Sequence, residues 1–134
     1  MITIRCTQRL LKRSGLEVLA DPPPPSAVLG EWYANVVCLP FPGRSLILYM
    51  HDPSRLSVLV CGRTIHTTVD PFRHRAICLL ERLGIPAELL AAERREMSEV
   101  CFARTASRSM LGSMNEIANQ IWYRSPDAAQ QGRT

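Results

Sequence analysis

Residues 32–61 read WYANVVCLPFPGRSLILYMHDPSRLSVLVC, and this stretch decides the fold class. Trp32 to Leu39 is apolar and β-branched in its middle, the composition of a central strand. Phe41-Pro42-Gly43-Arg44 then puts Pro-Gly at the two central positions of a type II turn, where glycine supplies the positive φ. Ser45 to Met50 returns as a second strand. His51-Asp52-Pro53-Ser54 makes another turn, and Leu56 to Cys61 makes a third strand. Three strands joined by short turns form an antiparallel meander.

Working outward, Ile2 to Cys6 alternates apolar and polar residues and reads as a strand. Thr7 is placed to cap a short basic helix, Gln8 to Arg13, with Gly15 as its stop. Asp21-Pro22-Pro23-Pro24-Pro25-Ser26 lacks backbone donors and favours a stiff polyproline II connection. Beyond the meander, Asp70-Pro71 is a helix-start signal. Phe72, Ala76, Leu79, Leu80 and Leu83 then follow at helical spacing up to Gly84. Pro86 opens a helix over Ala87 to Glu96, and Val100 to Ala103 reads as a short buried strand. Ser107 or Ser109 begins a last helix whose apolar stripe is Met110, Met114, Ile117, Ala118 and Ile121. The capping-box pattern Ser113-Met114-Asn115-Glu116 offers a later start, after Gly112. Strands in one block, then helices and a returning strand, predict an α+β domain over residues 1–124. The expected architecture is an antiparallel sheet of about five strands packed against three to four helices on one face. The other face is left for solvent or for contact with a second copy. Residues 125–134 are polar and aperiodic, which predicts a disordered tail.

With 134 residues, 46% hydrophobic and 21% charged, the composition is that of one ordinary globular domain. The longest uncharged stretch, residues 32–43, is too short to span a bilayer. Met1-Ile2-Thr3-Ile4-Arg5-Cys6 has no apolar core of a secretory signal, so a cytoplasmic location is expected. Cys6, Cys38, Cys61, Cys78 and Cys101 are spread apart without a C-x-x-C pair, which predicts reduced thiols in the core. The formal net charge is +4, and Lys12 is the only lysine among 16 basic residues. A GC-rich genome explains an arginine bias of this kind. Guanidinium groups also suit bidentate contact with phosphate or carboxylate.

The segment Arg104 to Glu116 is the most distinctive for chemistry. A strand ending in Arg104 leads through Ser107, Arg108 and Ser109 into a helix N-terminus, where free N–H groups and the positive dipole end favour an anion. Asn35, Asn115 and Glu116 are candidate supporting polar groups. The simpler alternative is that the serines cap the helix and the arginines pair with glutamates. No catalytic set is evident: the histidines His51, His66 and His74 fall outside every zinc spacing, and no phosphate-loop or nucleophile-elbow pattern occurs. A Cys61–His66 pair is conceivable from spacing alone, although a buried thiol and a solvated imidazole are the plainer expectation. No metal or cofactor is implied. Aromatic residues make up only 6% of the chain, so a single-strand stacking platform is weakly signalled.

Arg5-Cys6-Thr7-Gln8-Arg9-Leu10-Leu11-Lys12, Gly30-Glu31-Trp32-Tyr33-Ala34-Asn35 and the segment from Arg104 to Glu116 resemble blocks of a domain-of-unknown-function family of small prokaryotic proteins. The similarity runs over most of residues 1–123. Ala106 and Glu116 stand where asparagine and aspartate are usual, which removes an amide at 106 and keeps a carboxylate at 116. The resemblance brings no activity or ligand with it, but it implies that the three blocks act as one constellation. The expected function is a non-enzymatic binding protein with an anion site at the start of the last helix. The anion would be a nucleotide, a nucleic-acid phosphate or an acidic protein surface, and an accessory protein of a phage or plasmid belongs to this class. A small enzyme acting on a nucleotide or phosphorylated substrate is the alternative. Because the tail carries no apolar period, deleting residues 126–134 is expected to leave the melting temperature essentially unchanged; a drop of many degrees would show that the tail packs.

Overall fold

A computed structural model describes residues 1–20, 22, 30–39 and 44–124. The polyproline connection, the Pro42-Gly43 turn and the 125–134 tail fall wholly or largely outside these residues. In chain order the described elements are β1 (Ile2–Cys6), α1 (Gln8–Ser14), β2 (Trp32–Cys38), β3 (Ser45–His51), β4 (Ser57–Cys61), α2 (Ile65–Arg82), α3 (Ala87–Glu96), β5 (Val100–Arg104) and α4 (Arg108–Arg124). The protein is α+β with a five-stranded sheet in the order β4-β3-β2-β1-β5.

The meander is present as expected, with β2, β3 and β4 antiparallel and Asn35 opposite Leu48. The sheet as a whole is mixed, because β1 runs parallel to both β2 and β5. The expectation of an antiparallel sheet therefore holds only for the meander. Residues 7–31, which separate β1 from β2, are long enough for a crossover, and a crossover returns the chain in the same direction.

Helices cover both faces, which corrects the one-sided arrangement. On one face Ile2, Ile4, Trp32, Ala34, Ile47 and Tyr49 pack with Leu10 of α1 and with Ile65, Phe72 and Ala76 of α2. Phe72 is the hub there. Its ring stacks on Tyr49 at 4.0 Å and meets Trp32 edge-on at 4.9 Å. On the other face Tyr33, Val37, Leu48 and Met50 pack under Met110 and Met114 of α4. Strand alternation supplies both sets from the same strands.

One helix start and one helix cap differ from local expectation. The second helix begins at Ile65, so Asp70-Pro71 lies inside α2 rather than at its start. Its first turn is fixed from a distance: Ile65 N–H donates to Ser14 Oγ at 3.1 Å, and the Tyr49 hydroxyl meets Thr68 Oγ1 at 2.7 Å. This tertiary cap outweighs the local Asp-Pro signal. Thr7 occupies the N-cap position of α1, but its hydroxyl makes no cap bond. In α4 the ambiguity is resolved in favour of Ser107, whose Oγ accepts the Met110 N–H at 3.2 Å.

The cysteines only partly meet the expectation of core thiols. Cys6 and Cys101 are buried, Cys38 and Cys78 are half-buried, and Cys61 is exposed. Cys61 is the outward residue of an alternating edge strand whose Val58 and Val60 point inward. Burial pushes the Cys6 thiol from its ordinary value of 9.0 up to about 12. Above about pH 9 the unfolded chain therefore releases this proton while the native state keeps it, so the contribution is complete below that pH and lost as pH rises toward 12. Urea midpoints are expected to fall between about pH 9 and 10, with Cys6 contributing up to about 1.4 kcal/mol per pH unit. Cys6→Ala is expected to make that slope shallower; an unchanged slope would contradict the burial.

Candidate functional site

Arg5 sits near the end of β1, in register with Tyr33 of β2 and Ala103 of β5. Its Nε donates to both oxygens of Glu31, at 3.3 and 3.2 Å, and its Nη1 donates to the Arg104 carbonyl at 2.9 Å. The two side chains are only 19% and 15% exposed, so solvent screens this pair far less than a surface one. Thr7 adds a second tie. Its N–H donates to the Ala34 carbonyl at 3.0 Å, and its hydroxyl donates to Asn35 Oδ1 at 2.7 Å. The three sequence blocks that formed a constellation thus meet in space. Tyr33 lies among them and its phenol is pushed up by burial; contact with the Ala106 backbone and Arg5 opposes the shift, while Asp52 and Glu31 add to it.

Gly30 locks the neighbouring turn in place. It has φ +105°, and a Cβ there would lie 2.9 Å from Pro53 Cγ. This close approach lets Asp52 N–H donate to the Glu31 carbonyl at 2.9 Å. Arg55, in the left-handed region at φ +64°, then reaches α4 and donates from Nη2 to Ser109 Oγ at 2.9 Å. Its Nη1 lies 3.8 Å from Asp52. Sequence reading missed Arg55. The Asp52/Arg55 spacing was visible, but the backbone conformation that aims the guanidinium was not.

The predicted site residues divide between two places. Arg104 is exposed at the carboxyl ends of the parallel pair β1 and β5, where it lines a groove of about 520 Å³ with Gln8, Leu11, Lys12 and Thr105 over a floor that includes Cys6. On its other side lies a groove of about 390 Å³ shared with Arg5, Leu19 and Ala103. Ser107 is occupied as the helix cap, and Ser109 by Arg55. Arg108, the first residue of α4, is exposed and makes no ion pair among the described residues. Asn35 is committed to Thr7, whereas Asn115 and Glu116 are exposed on α4. Neither Asn35 nor Asn115 lines the two grooves beside Arg104.

The Cys61–His66 pair does not form, because His66 Nε2 bonds the Ser14 carbonyl at 2.9 Å. Cys78 Sγ instead lies 3.7 Å from His74 Nε2 across one turn of α2. Among the described residues no group of three or more histidine, cysteine, aspartate or glutamate side chains could hold a metal ion. Nor is any of their helices long and apolar enough to cross a membrane.

Removing Arg5 strands the Glu31 carboxylate and frees the Arg104 carbonyl. Arg5→Ala is expected to lower unfolding free energy by about 2–3 kcal/mol. The double variant Arg5→Ala/Glu31→Ala should recover part of that loss, because the stranded charge is gone. Urea unfolding of both proteins checks this, and a larger loss in the double variant would overturn it.

No curated protein and no solved structure matches this chain. The family comparison is positive over nearly the whole length: residues 3–132 match the model described as Domain of unknown function (DUF6933), and the chain belongs to that family.

Proposed function

We propose that this protein is a non-enzymatic binding protein that holds an anionic group at the basic end of its sheet. One observation carries this reading. Arg104 and Lys12 stand at a groove whose wall contains no carboxylate, and neither has an ion pair among the described residues. Such cations gain charge-assisted hydrogen bonds from a phosphate or carboxylate without giving up an existing partner. Arg108 extends the basic region along the chain to the positive end of α4, where a first-turn N–H is an additional donor. Ser107 and Ser109 support the reading differently from expectation, by fixing the helix start and receiving Arg55.

The groove is a poor place for the alternative, an enzyme acting on a phosphorylated substrate. Its one thiol, Cys6, is pushed up to about 12 by burial and stays protonated near neutrality. Apart from the cations Lys12 and Arg104, its polar side chains are Gln8 and Thr105, which are not bases.

A thermal-shift series with inorganic phosphate, nucleotides and short oligonucleotides is expected to give at least one stabilising anion. Arg104→Ala should weaken that anion by about tenfold or more, and Arg108→Ala by a comparable factor if both groups touch it. Each variant should keep its melting temperature without ligand, since an exposed arginine adds little to stability. No response to any of these anions, or undiminished affinity in the Arg104→Ala/Arg108→Ala protein, would overturn the reading.

A further inference from the structure

The sheet has two edges, and they are treated differently. The outer side of β5 receives the chain that follows α1, with Leu19 N–H donating to the Phe102 carbonyl at 3.0 Å. The outer side of β4 has no such cover among the described residues. His51 N–H donates to the Leu56 carbonyl and Gly62 N–H to the Ser45 carbonyl, at 2.8 and 3.3 Å. That phase turns the main-chain groups of Val58 and Val60 toward β3 and those of Ser57, Leu59 and Cys61 outward. Among the described residues one outward group has a partner: the Leu59 carbonyl accepts from Arg75 Nη1. Beside this edge, between β4 and α2, runs a groove of about 430 Å³. Val58 and Leu79 contribute apolar surface to it, and Leu59 is 36% exposed. Arg75, Arg82, His74 and Cys78 supply its charged and titratable groups, with no carboxylate in the wall.

We propose that this edge accepts an extended acidic segment of a partner protein as a sixth strand. The outward N–H groups of Ser57, Leu59 and Cys61 require carbonyl acceptors in a row, which an extended backbone supplies and a folded surface does not. Residues of the incoming strand alternate in direction, so one set lies in the groove against Leu79 while its carboxylates meet Arg75 and Arg82. An incoming N–H replaces Arg75 on the Leu59 carbonyl, and the released guanidinium pairs with a carboxylate. A second copy of this chain fits less well, because pairing β4 with β4 brings two arginine sets together with no carboxylate in either groove wall to offset them. The surface lies across the sheet from Arg104, so the proposal does not rest on the anion site.

The test uses the full chain and fluorescence anisotropy of a labelled short peptide that alternates glutamate and valine. Saturable binding is expected. The Arg75→Glu/Arg82→Glu protein should bind at least about tenfold more weakly with its melting temperature retained, since both arginines are exposed. N-methylating alternate peptide nitrogens should abolish binding to the unmodified protein, a result that needs no variant to fold. Absence of binding, equal binding of a lysine–valine peptide, or undiminished binding of the methylated peptide would overturn the proposal. So would a dimer in sedimentation whose β4 edge no longer accepts the peptide.

Discussion

One guanidinium ties together three parts of the chain that are remote in sequence. Arg5 lies on the central parallel strand, and its fork reaches Glu31 ahead of β2 on one side and the last carbonyl of β5 on the other. A carboxylate as enclosed as Glu31 needs this partner, and the planar five-donor fork of arginine can serve two acceptors where an ammonium would serve them less directly. With both flanks fixed, the residues after Arg104 run on to Ser107, which caps α4, and past Tyr33, which contacts Ala106. The basic groove and the helix start inherit their positions from that bond.

The sheet has a core on each side, built on opposite principles. The α1/α2 side is organised by aromatic rings around Phe72 and anchored by polar bonds from Ser14 and Tyr49 into the first turn of α2. The α4 side relies on Met110 and Met114, flexible side chains that fill space over Tyr33, Leu48 and Met50 without a polar anchor at their centre. The first arrangement specifies a register. The second accommodates a helix whose position is set mainly at its start, by Ser107 and the Arg55–Ser109 bond.

Legibility in the sequence followed the range of each interaction. Strand alternation in the meander, the Ala87–Glu96 helix and the stop at Gly84 depend on neighbours a few residues away, and all were readable. The start of α2 was not, because its cap is Ser14, and the stronger local signal at Asp70-Pro71 pointed elsewhere. Parallel pairing of β1 was likewise hidden, since no periodicity within Ile2 to Cys6 distinguishes a parallel neighbour from an antiparallel one. Arg104, Ser107, Arg108 and Ser109 were legible as a group, but not their division between a groove and a helix start. That division follows from the pleat, which sends Arg104 and Ala103 to opposite sides of β5. Ser107 follows the simpler alternative of a helix cap, which is a local bond, whereas the partner of Ser109 is Arg55, 54 positions away and not readable.

The two neighbours of β1 have a consequence for how the chain is made. Its partner on one side begins at Trp32, whereas its partner on the other side is Val100 to Arg104; Thr3 and Cys101, bonded through their side chains, stand 98 positions apart. β1 thus leaves the ribosome well before the strand that completes its pairing. Until β5 emerges, β1 is an edge, and its row of unpaired amides is open to any other nascent or misfolded chain. Long-range parallel closure is also the slowest class of contact to form. The order of synthesis and the order of the sheet run against each other here, and in the interval between them that edge of β1 has no strand to cover it.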